Sequence, residues 1–284
     1  MPEQLRQQLA LMLGEPVVGP MVTVGRGYTP AIRRIATLAS GRTVFVKAAA
    51  NENTANWLRA EQRIYGHLDA PFLAKRIAFS DGKRPVLVLE DLSGAHWPPQ
   101  WRPGDIDAVR QTMSEVACSA LAGLPHLDAA EFNRGWQKVA ADPAPFLSLG
   151  LVSADWLAAA LPTLIDAALS ADLSGTAMLH CDLRSDNLCI RAGRAILVDW
   201  NFACIGNPTL DIAFWLPSLA AEGGGPPESI LPDAPEYTAL ISGFFAARAG
   251  LAVIPHAPRV RHIQQVQLNE ALPWAVRALG LPHL

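Results

Sequence analysis

Leu179-His180-Cys181-Asp182-Leu183-Arg184-Ser185-Asp186-Asn187-Leu188-Cys189-Ile190 is followed shortly by Ile196-Leu197-Val198-Asp199-Trp200. It sets His180, Asp182 and Asn187 in an H-x-D-x-x-x-x-N array and places Asp199 just after an apolar run. Two strand-like pieces, 188–191 and 195–198, are joined by Ala192-Gly193-Arg194 and read as a hairpin between Asn187 and Asp199. Taken singly, Asp182 and Asp186 suit an ordinary polar turn in which carboxylates accept from loop amides. Taken together, the four residues suit phosphoryl transfer from a nucleotide. Asp182 would accept the proton of an attacking hydroxyl. Asn187 and Asp199 would give oxygen ligands to Mg²⁺, which reaches a protein through a few side chains plus substrate phosphates. His180 is expected to brace the loop rather than move protons.

Upstream of this stretch the first ninety residues read mainly as strands. Val22–Val24, Ile32–Leu38 and Thr43–Ala48 are rich in β-branched residues and are separated by Gly25, Gly27 and Gly41. A helix is expected from about Thr54 to Leu68, capped by Asn53 or Thr54, and a further apolar run spans Pro85 to Leu89. His96 to Asp105 holds three prolines and a glycine and is expected to be irregular. Beyond it the chain turns helical and rich in Ala and Leu: 107–124 and 153–173, with Asp107 and Ser153 as caps and Pro162 kinking or interrupting the second, then about 235–249 and 258–279. Residues 222–236, with three glycines and several prolines, read as a loop. The order of elements is that of an α+β fold in two lobes. The expected division is 1–93 as a nucleotide-binding lobe, 94–105 as a linker and 106–284 as a helical lobe with the catalytic loop and acceptor site.

With these motifs in hand, the chain resembles the aminoglycoside phosphotransferase and choline-kinase-like family, relatives of the eukaryotic protein kinases. Members carry an H-G-D or H-N-D loop ending in Asn, then an apolar strand ending in Asp; here the loop is His180-Cys181-Asp182 and the strand ends in Asp199-Trp200. Gly206-Asn207-Pro208-Thr209-Leu210-Asp211-Ile212-Ala213 also resembles the family's G-x-P-x-x-D-L-A segment. The resemblance implies a protein-kinase-like fold with a small β-rich lobe and a larger helical one, with ATP and Mg²⁺ as cofactors. It points to Lys47, in V-F-V-K-A, as the strand lysine on the nucleotide phosphates. Glu61 is its expected helix partner, in preference to Glu52, which has a sufficient reason at a helix N-terminus. Gly25 and Gly27 fall where the family has its phosphate-covering turn, and Glu90 and Leu92 where backbone groups hold adenine. Asp211 is expected to anchor the backbone of the catalytic loop. Arg184 is read either as a contact to the transferring phosphoryl or as a solvated loop arginine. Two positions depart from the pattern: Cys181 replaces a small or amide residue, and Asn201 stands where relatives often have an acid.

Composition narrows the classes further. Half of the 284 residues are hydrophobic and only 17% are charged, enough for a sizeable core and too apolar for a disordered chain. The net charge of -3 offers no basic excess for a nucleic-acid backbone. Apolar runs stop well short of the ~18 residues of a membrane span, and Met1–Gly14 does not read as a secretory signal, so a cytoplasmic location is expected. The four cysteines and seven histidines show no metal-knuckle spacing and read as reduced thiols and scattered imidazoles. The expected activity is therefore transfer of the γ-phosphoryl of Mg-ATP to a small-molecule hydroxyl. An aminoglycoside-type acceptor is favoured, with Glu222, Glu228, Asp233, Glu236 and Glu270 as candidate carboxylates for a cationic substrate. The alternatives are another small alcohol (a macrolide, choline or ethanolamine, a sugar) or a nucleotide-binding regulator without transfer activity. The oligomeric state is left open.

Overall fold

In a computed structural model, which describes residues 2–25, 27 and 30–284, the chain forms two compact units. One comprises Met1–Pro98 with Asp186–Ala203, the other Pro99–Ser185 with Cys204–Leu284.

The first unit begins with α1 (Pro2–Leu13) and β1 (Val17–Thr23), followed by β2 (Ile32–Leu38), β3 (Thr43–Ala48), α2 (Glu52–His67), β4 (Arg76–Ser80) and β5 (Val86–Glu90). The five strands form one antiparallel sheet in the order β1-β2-β3-β5-β4. β2 and β3 occupy the spans expected from their β-branched content, and they pair from Ile32↔Ala48 to Thr37↔Thr43 around a turn with Gly41 at φ 84°. Ala36, Leu38, Val44, Val46, Val86 and Val88 share a buried face with Leu9 of α1. Neither α1 nor β4 was expected from sequence. The four-residue spacing of Leu5 and Leu9 acquires meaning only once the sheet is present for α1 to cover.

α2 starts differently from expectation. Its N-cap is Asn51, not Asn53 or Thr54: the Asn51 side chain accepts from the Thr54 amide, and the Thr54 hydroxyl accepts from the Asn51 amide, each at 2.9 Å. Thr54 thus closes a reciprocal capping box from the third helical position. The helix buries Leu58, Glu61, Ile64 and Tyr65 along one side.

The second unit opens with α3 (Asp105–Ala117), which follows Gly104 in a left-handed conformation, so Asp107 lies within the helix rather than capping it. Short helices α4 (Ala129–Asn133), α5 (Gly135–Ala141) and α6 (Ala144–Leu147) lead to α7 (Ala154–Ser170) and β6 (Ala177–Leu179). Ser153 caps α7 as expected, whereas Pro162 sits inside a helix that runs on through it.

The chain then re-enters the first unit as a hairpin of β7 (Leu188–Arg191) and β8 (Arg194–Leu197). Its two loop residues, Ala192 and Gly193, have φ of 51° and 74°, the positive pair that a tight right-twisting hairpin requires. β9 (Cys204–Gly206) pairs with β6, and α8 (Thr209–Ala221), α9 (Pro235–Ala249) and α10 (Val260–Leu279) complete the second unit. Its core gathers Leu157 and Leu164 of α7, Phe214 of α8, Leu240 and Phe245 of α9 and Leu268 of α10.

The contiguous division expected at 94–105 captures only one of the changes of unit. Residues 186–203 belong with the N-terminal part because Leu197 N–H donates to Phe72 O at 2.8 Å while His96 and Ile190 exchange backbone hydrogen bonds of 3.0 and 2.7 Å. Among the described residues no helix is long and apolar enough to cross a membrane.

α5 and α9 approach each other closely in the second unit. A Cβ built on Gly135 would lie 2.1 Å from the Gly243 carbonyl carbon, and Trp136 beside it donates its indole N–H to Ala239 O at 2.9 Å. Gly135→Ala should therefore force the two backbones apart and lower stability by roughly 1–3 kcal/mol, read as a reduced midpoint in urea.

Candidate functional site

The hairpin register explains how two residues twelve apart meet. Leu188 faces Leu197, and the Val198 N–H donates to Asn187 O at 2.9 Å, so Asn187 and Asp199 emerge together at the open end of β7–β8. Asp199 adopts φ 68°, a left-handed conformation that aspartate tolerates better than most residues. Trp200 behind it is fully buried, donating to Leu197 O at 3.0 Å and packing on Phe72. With its amide assigned so that the nitrogen faces Asp199, Asn201 donates to Oδ1 at 2.6 Å and to the backbone carbonyl at 3.0 Å. An acid at that position could not supply these donors.

Lys47, near the end of β3, is buried, and its Nζ donates to Glu61 Oε2 at 2.5 Å and to Asp199 Oδ1 at 2.6 Å. Burial opposes the ammonium charge, but the Asp199 and Glu61 carboxylates outweigh it and raise the pKa above the ordinary lysine value. Lys47 is thus a fixed cation at working pH. Of its two sequence candidates for a partner, Glu61 makes the contact, whereas Glu52 lies exposed in the first turn of α2.

These groups line a cavity of ≈ 280 Å³ built wholly from the first unit. Of the residues singled out in the sequence, Gly27, Lys47, Glu61, Glu90, Leu92, Asn187 and Asp199 line it; Gly25 is exposed and lies outside its lining. Arg26, Tyr28 and Thr29 of the glycine turn lie outside the described residues. The Glu90 carboxylate is committed elsewhere. It takes a forked pair from Arg191 at 2.7 and 3.1 Å and the Lys75 N–H at 2.9 Å, and the Arg191 hydrogen bonds hold its pKa below the usual range. Its backbone N–H is committed as well, donating to Lys75 O at 2.9 Å. The Leu92 carbonyl accepts from the Trp97 indole at 3.0 Å, which brings an aromatic ring to the same wall.

Several lining residues were not singled out in the sequence, among them Arg33 and Trp97, and Asp186 was read only as a turn carboxylate. The signal for Arg33 was available: counting outward from the turn at Gly41 pairs it with Lys47. Trp97 fell in a stretch read only as a connection.

Asp182 and Arg184 belong to the second unit, where Asp211 anchors their loop. The Asp211 carboxylate, buried in the first turn of α8, accepts from the His180 N–H at 2.6 Å and the Cys181 N–H at 2.7 Å. His180 is buried and its Nδ1 accepts from the Asp182 N–H at 3.2 Å, so the imidazole braces the loop from within. Cys181 between them has φ 60°, a conformation that glycine and asparagine reach at little cost and that costs other residues roughly 1–2 kcal/mol. That is the physical reason the pattern favours those residues here. The Cys181 sulfur lies 3.3 Å from that of Cys204. Arg184 is on Asp182, its Nη1 2.5 Å from Oδ1.

The arrangement supplies a fixed cation between two carboxylates on a cavity wall and, on a separately anchored loop, a partly exposed carboxylate held by an arginine. Oxygen donors from Asn187 and Asp199 suit Mg²⁺, a hard ion that takes few protein ligands when phosphates provide the rest. Among the described residues no group of three or more His, Cys, Asp or Glu is placed to hold a metal.

Residues 23–252 match the model of the phosphotransferase enzyme family, and the chain belongs to that family. Its members are small-molecule phosphotransferases, and so is this protein. A search of curated proteins finds no match. Among solved structures, the chain is similar to a choline/ethanolamine kinase family protein from Mesorhizobium loti (16% identity, 98% of this chain and 97% of that one, TM-score 0.67). It is similar to a thermostable mutant of aminoglycoside phosphotransferase APH(4)-Ia in ternary complex with ADP and hygromycin B (14%, 98% of each chain, 0.61). It is also similar to macrolide 2'-phosphotransferase MphH from Brachybacterium faecium (18%, 99% of each chain, 0.60). At these identities the likeness establishes the fold, a two-lobed kinase-like architecture.

Burial raises the Asp211 pKa to about 6, against the pull of the two amides that favour its charge. Its native pKa lies above the ~3.9 of an unfolded aspartate, so between about pH 4 and 6 the native state holds a proton the unfolded chain lacks. This contribution to stability is present at acid pH and is lost as pH rises through 6. Urea unfolding of wild type and Asp211→Asn should show a stability gap wider at pH 5 than at pH 8 by roughly 1 kcal/mol. An equal gap at both pH values would contradict this.

Proposed function

We propose that the protein transfers the γ-phosphoryl group of Mg²⁺-ATP to a hydroxyl of a small molecule, with an aminoglycoside-type acceptor favoured. The observation that carries the reading is the Lys47 ammonium held between Glu61 and Asp199 on the wall of a cavity that Glu90 and Leu92 also line. Lys47 and the turn at Gly25 and Gly27 would take the phosphates, with Glu61 fixing Lys47. Backbone groups of Glu90 and Leu92 would hold adenine. Asn187 and Asp199 would hold Mg²⁺, which when bound neutralises charge on the phosphate oxygens. On this reading 1–93 is the nucleotide-binding part and 106–284 the part that carries the catalytic loop and acceptor site, with the hairpin 186–203 joining the former.

In the transfer, the acceptor oxygen attacks the γ-phosphorus and the bond from that phosphorus to the β–γ bridging oxygen breaks. The acceptor proton passes to the Asp182 carboxylate, and ADP leaves. Arg184 would shift its guanidinium from Asp182 toward the transferring phosphoryl, where its fork suits paired oxygens. Catalysis of this kind is positioning and charge stabilisation, with no phosphoenzyme.

Of the five candidate carboxylates for a cationic acceptor, Glu222 has the most specific support. It accepts from Ser185 of the catalytic loop at 2.5 Å and from the Trp101 indole at 3.1 Å. Glu228 is already paired with Arg277 at 2.6 Å. The named substrates of similar structures, hygromycin B among them, set the panel to try.

ADP release should be measured with Mg²⁺-ATP over aminoglycosides, macrolides, choline, ethanolamine and simple sugars, beside the Asp182→Asn variant. One acceptor should stimulate release in the wild type. The variant should lose turnover by orders of magnitude and keep Mg²⁺-ATP binding. Loss of nucleotide binding in the variant would instead make Asp182 structural.

A further inference from the structure

The cavity holds a second cation that the reading above does not use. Arg33 on β2 stands directly opposite Lys47 on β3, so both side chains leave the same face of the sheet. The Arg33 side chain is only 10% exposed and lines the cavity. Its Nη2 is 3.9 Å from Asp199 Oδ2, beyond hydrogen-bonding reach, while Asp199 Oδ1 is taken by Lys47 at 2.6 Å. Its Nη1 donates to Ala31 O at 3.3 Å. The guanidinium packs against Gly27: a Cβ on that residue, which has φ 95°, would be 2.7 Å from Arg33 Cζ and 2.9 Å from Nη2. Gly27 therefore leaves open the space that this side chain fills.

A largely buried guanidinium on the cavity wall, beside the Lys47 ammonium and against Gly27, suits an anion with several oxygens. We propose that Arg33 is a second phosphate-binding cation of the nucleotide site, which grips the polyphosphate beside Lys47 and which Gly27 makes room for. The proposal rests on the phosphotransferase reading of the cavity and adds to it a residue that discriminates a nucleotide by its phosphate chain. Two parallel N–H donors suit the paired oxygens of a phosphate better than a lysine in the same place. Adenosine, with no phosphate, has nothing for Arg33 to bind.

The test is calorimetric titration of ATP, ADP and adenosine, each with Mg²⁺, into wild type, Arg33→Met and Arg33→Lys, with the thermal midpoint of each recorded. In Arg33→Met the affinity for ATP should fall by about tenfold or more, the loss expected for one charge-assisted hydrogen bond. Adenosine affinity should stay where it was, and Arg33→Lys should fall between. If Arg33→Met does not fold, the ratio of ATP to adenosine affinity in Arg33→Lys decides alone, and a ratio equal to that of wild type overturns the proposal. It is also overturned if ATP and adenosine affinities change together or not at all in Arg33→Met. A wild type that binds ATP while the variants show no phosphate-dependent loss leaves the phosphotransferase reading standing and removes only Arg33. A wild type that binds none of the three removes both.

Discussion

One ammonium group constrains the first unit more than any other feature. Lys47 Nζ is within hydrogen-bonding distance of two carboxylates, Glu61 and Asp199, in a place largely closed to water. Removing ions from water costs several kcal/mol each, and only close, well-directed partners offset it. Those partners come from three separate pieces of chain: β3 brings Lys47, α2 brings Glu61, and the end of the β7–β8 hairpin brings Asp199. The register of the sheet, the starting residue of the helix and the length of the hairpin turn must all be right together, because an error in any of them leaves a charge buried without its counter-ion. The capping box at Asn51 and the two-residue turn at Ala192-Gly193 are therefore part of the same construction as the ion cluster.

How much of this was legible beforehand depended on whether the determining physics is local. β2, β3, α9 and the pairing of β7 with β8 follow from runs of β-branched or helix-forming residues bounded by turn residues, and the sequence carries that information within a few positions. α1, β4, β6 and β9 escaped because each is short or weakly patterned and is stabilised by what it packs on. β6 and β9 have three residues apiece and pair with each other, with Ile205 of β9 also bridged to the segment at His126. In the site, the Asp182, Asn187, Asp199 spacing was legible because it is fixed by one loop and one hairpin, and Glu61 was legible as the carboxylate on the helix after Lys47. Arg33 was not picked out, since the local run Ile32-Arg33-Arg34 does not separate it from its neighbour and only the register counted across the Gly41 turn, which pairs it with Lys47, does so.

The loop that carries Asp182 is held by a different principle. No disulfide fixes it among the described residues; two backbone amides are held by one buried carboxylate, and a histidine ring fills the space behind. Backbone anchoring of this kind sets the loop's shape while leaving the side chains of Asp182 and Arg184 outside the anchor. It also explains why a cysteine can occupy position 181. The two amide hydrogen bonds to Asp211 offset the left-handed backbone that Cys181 must adopt, and its sulfur faces Cys204 on the adjoining strand.

The chain passes from one compact unit to the other three times, at Pro98, at Ser185 and again at Ala203. Neither unit is therefore a continuous piece of polypeptide, and neither corresponds to a segment that could be cut out of a gene. On the ribosome, the sheet that holds Lys47 is made early, but the carboxylate that completes its charge balance arrives about 150 residues later, after most of the helices before it. Through that interval the N-terminal part must exist with an unmatched cationic cluster, Lys47 and Arg33 against Glu61 alone. The last step in finishing the nucleotide-facing unit is thus the docking of one short hairpin, and a nascent or truncated chain that ends before residue 199 has the sheet without its counter-charge.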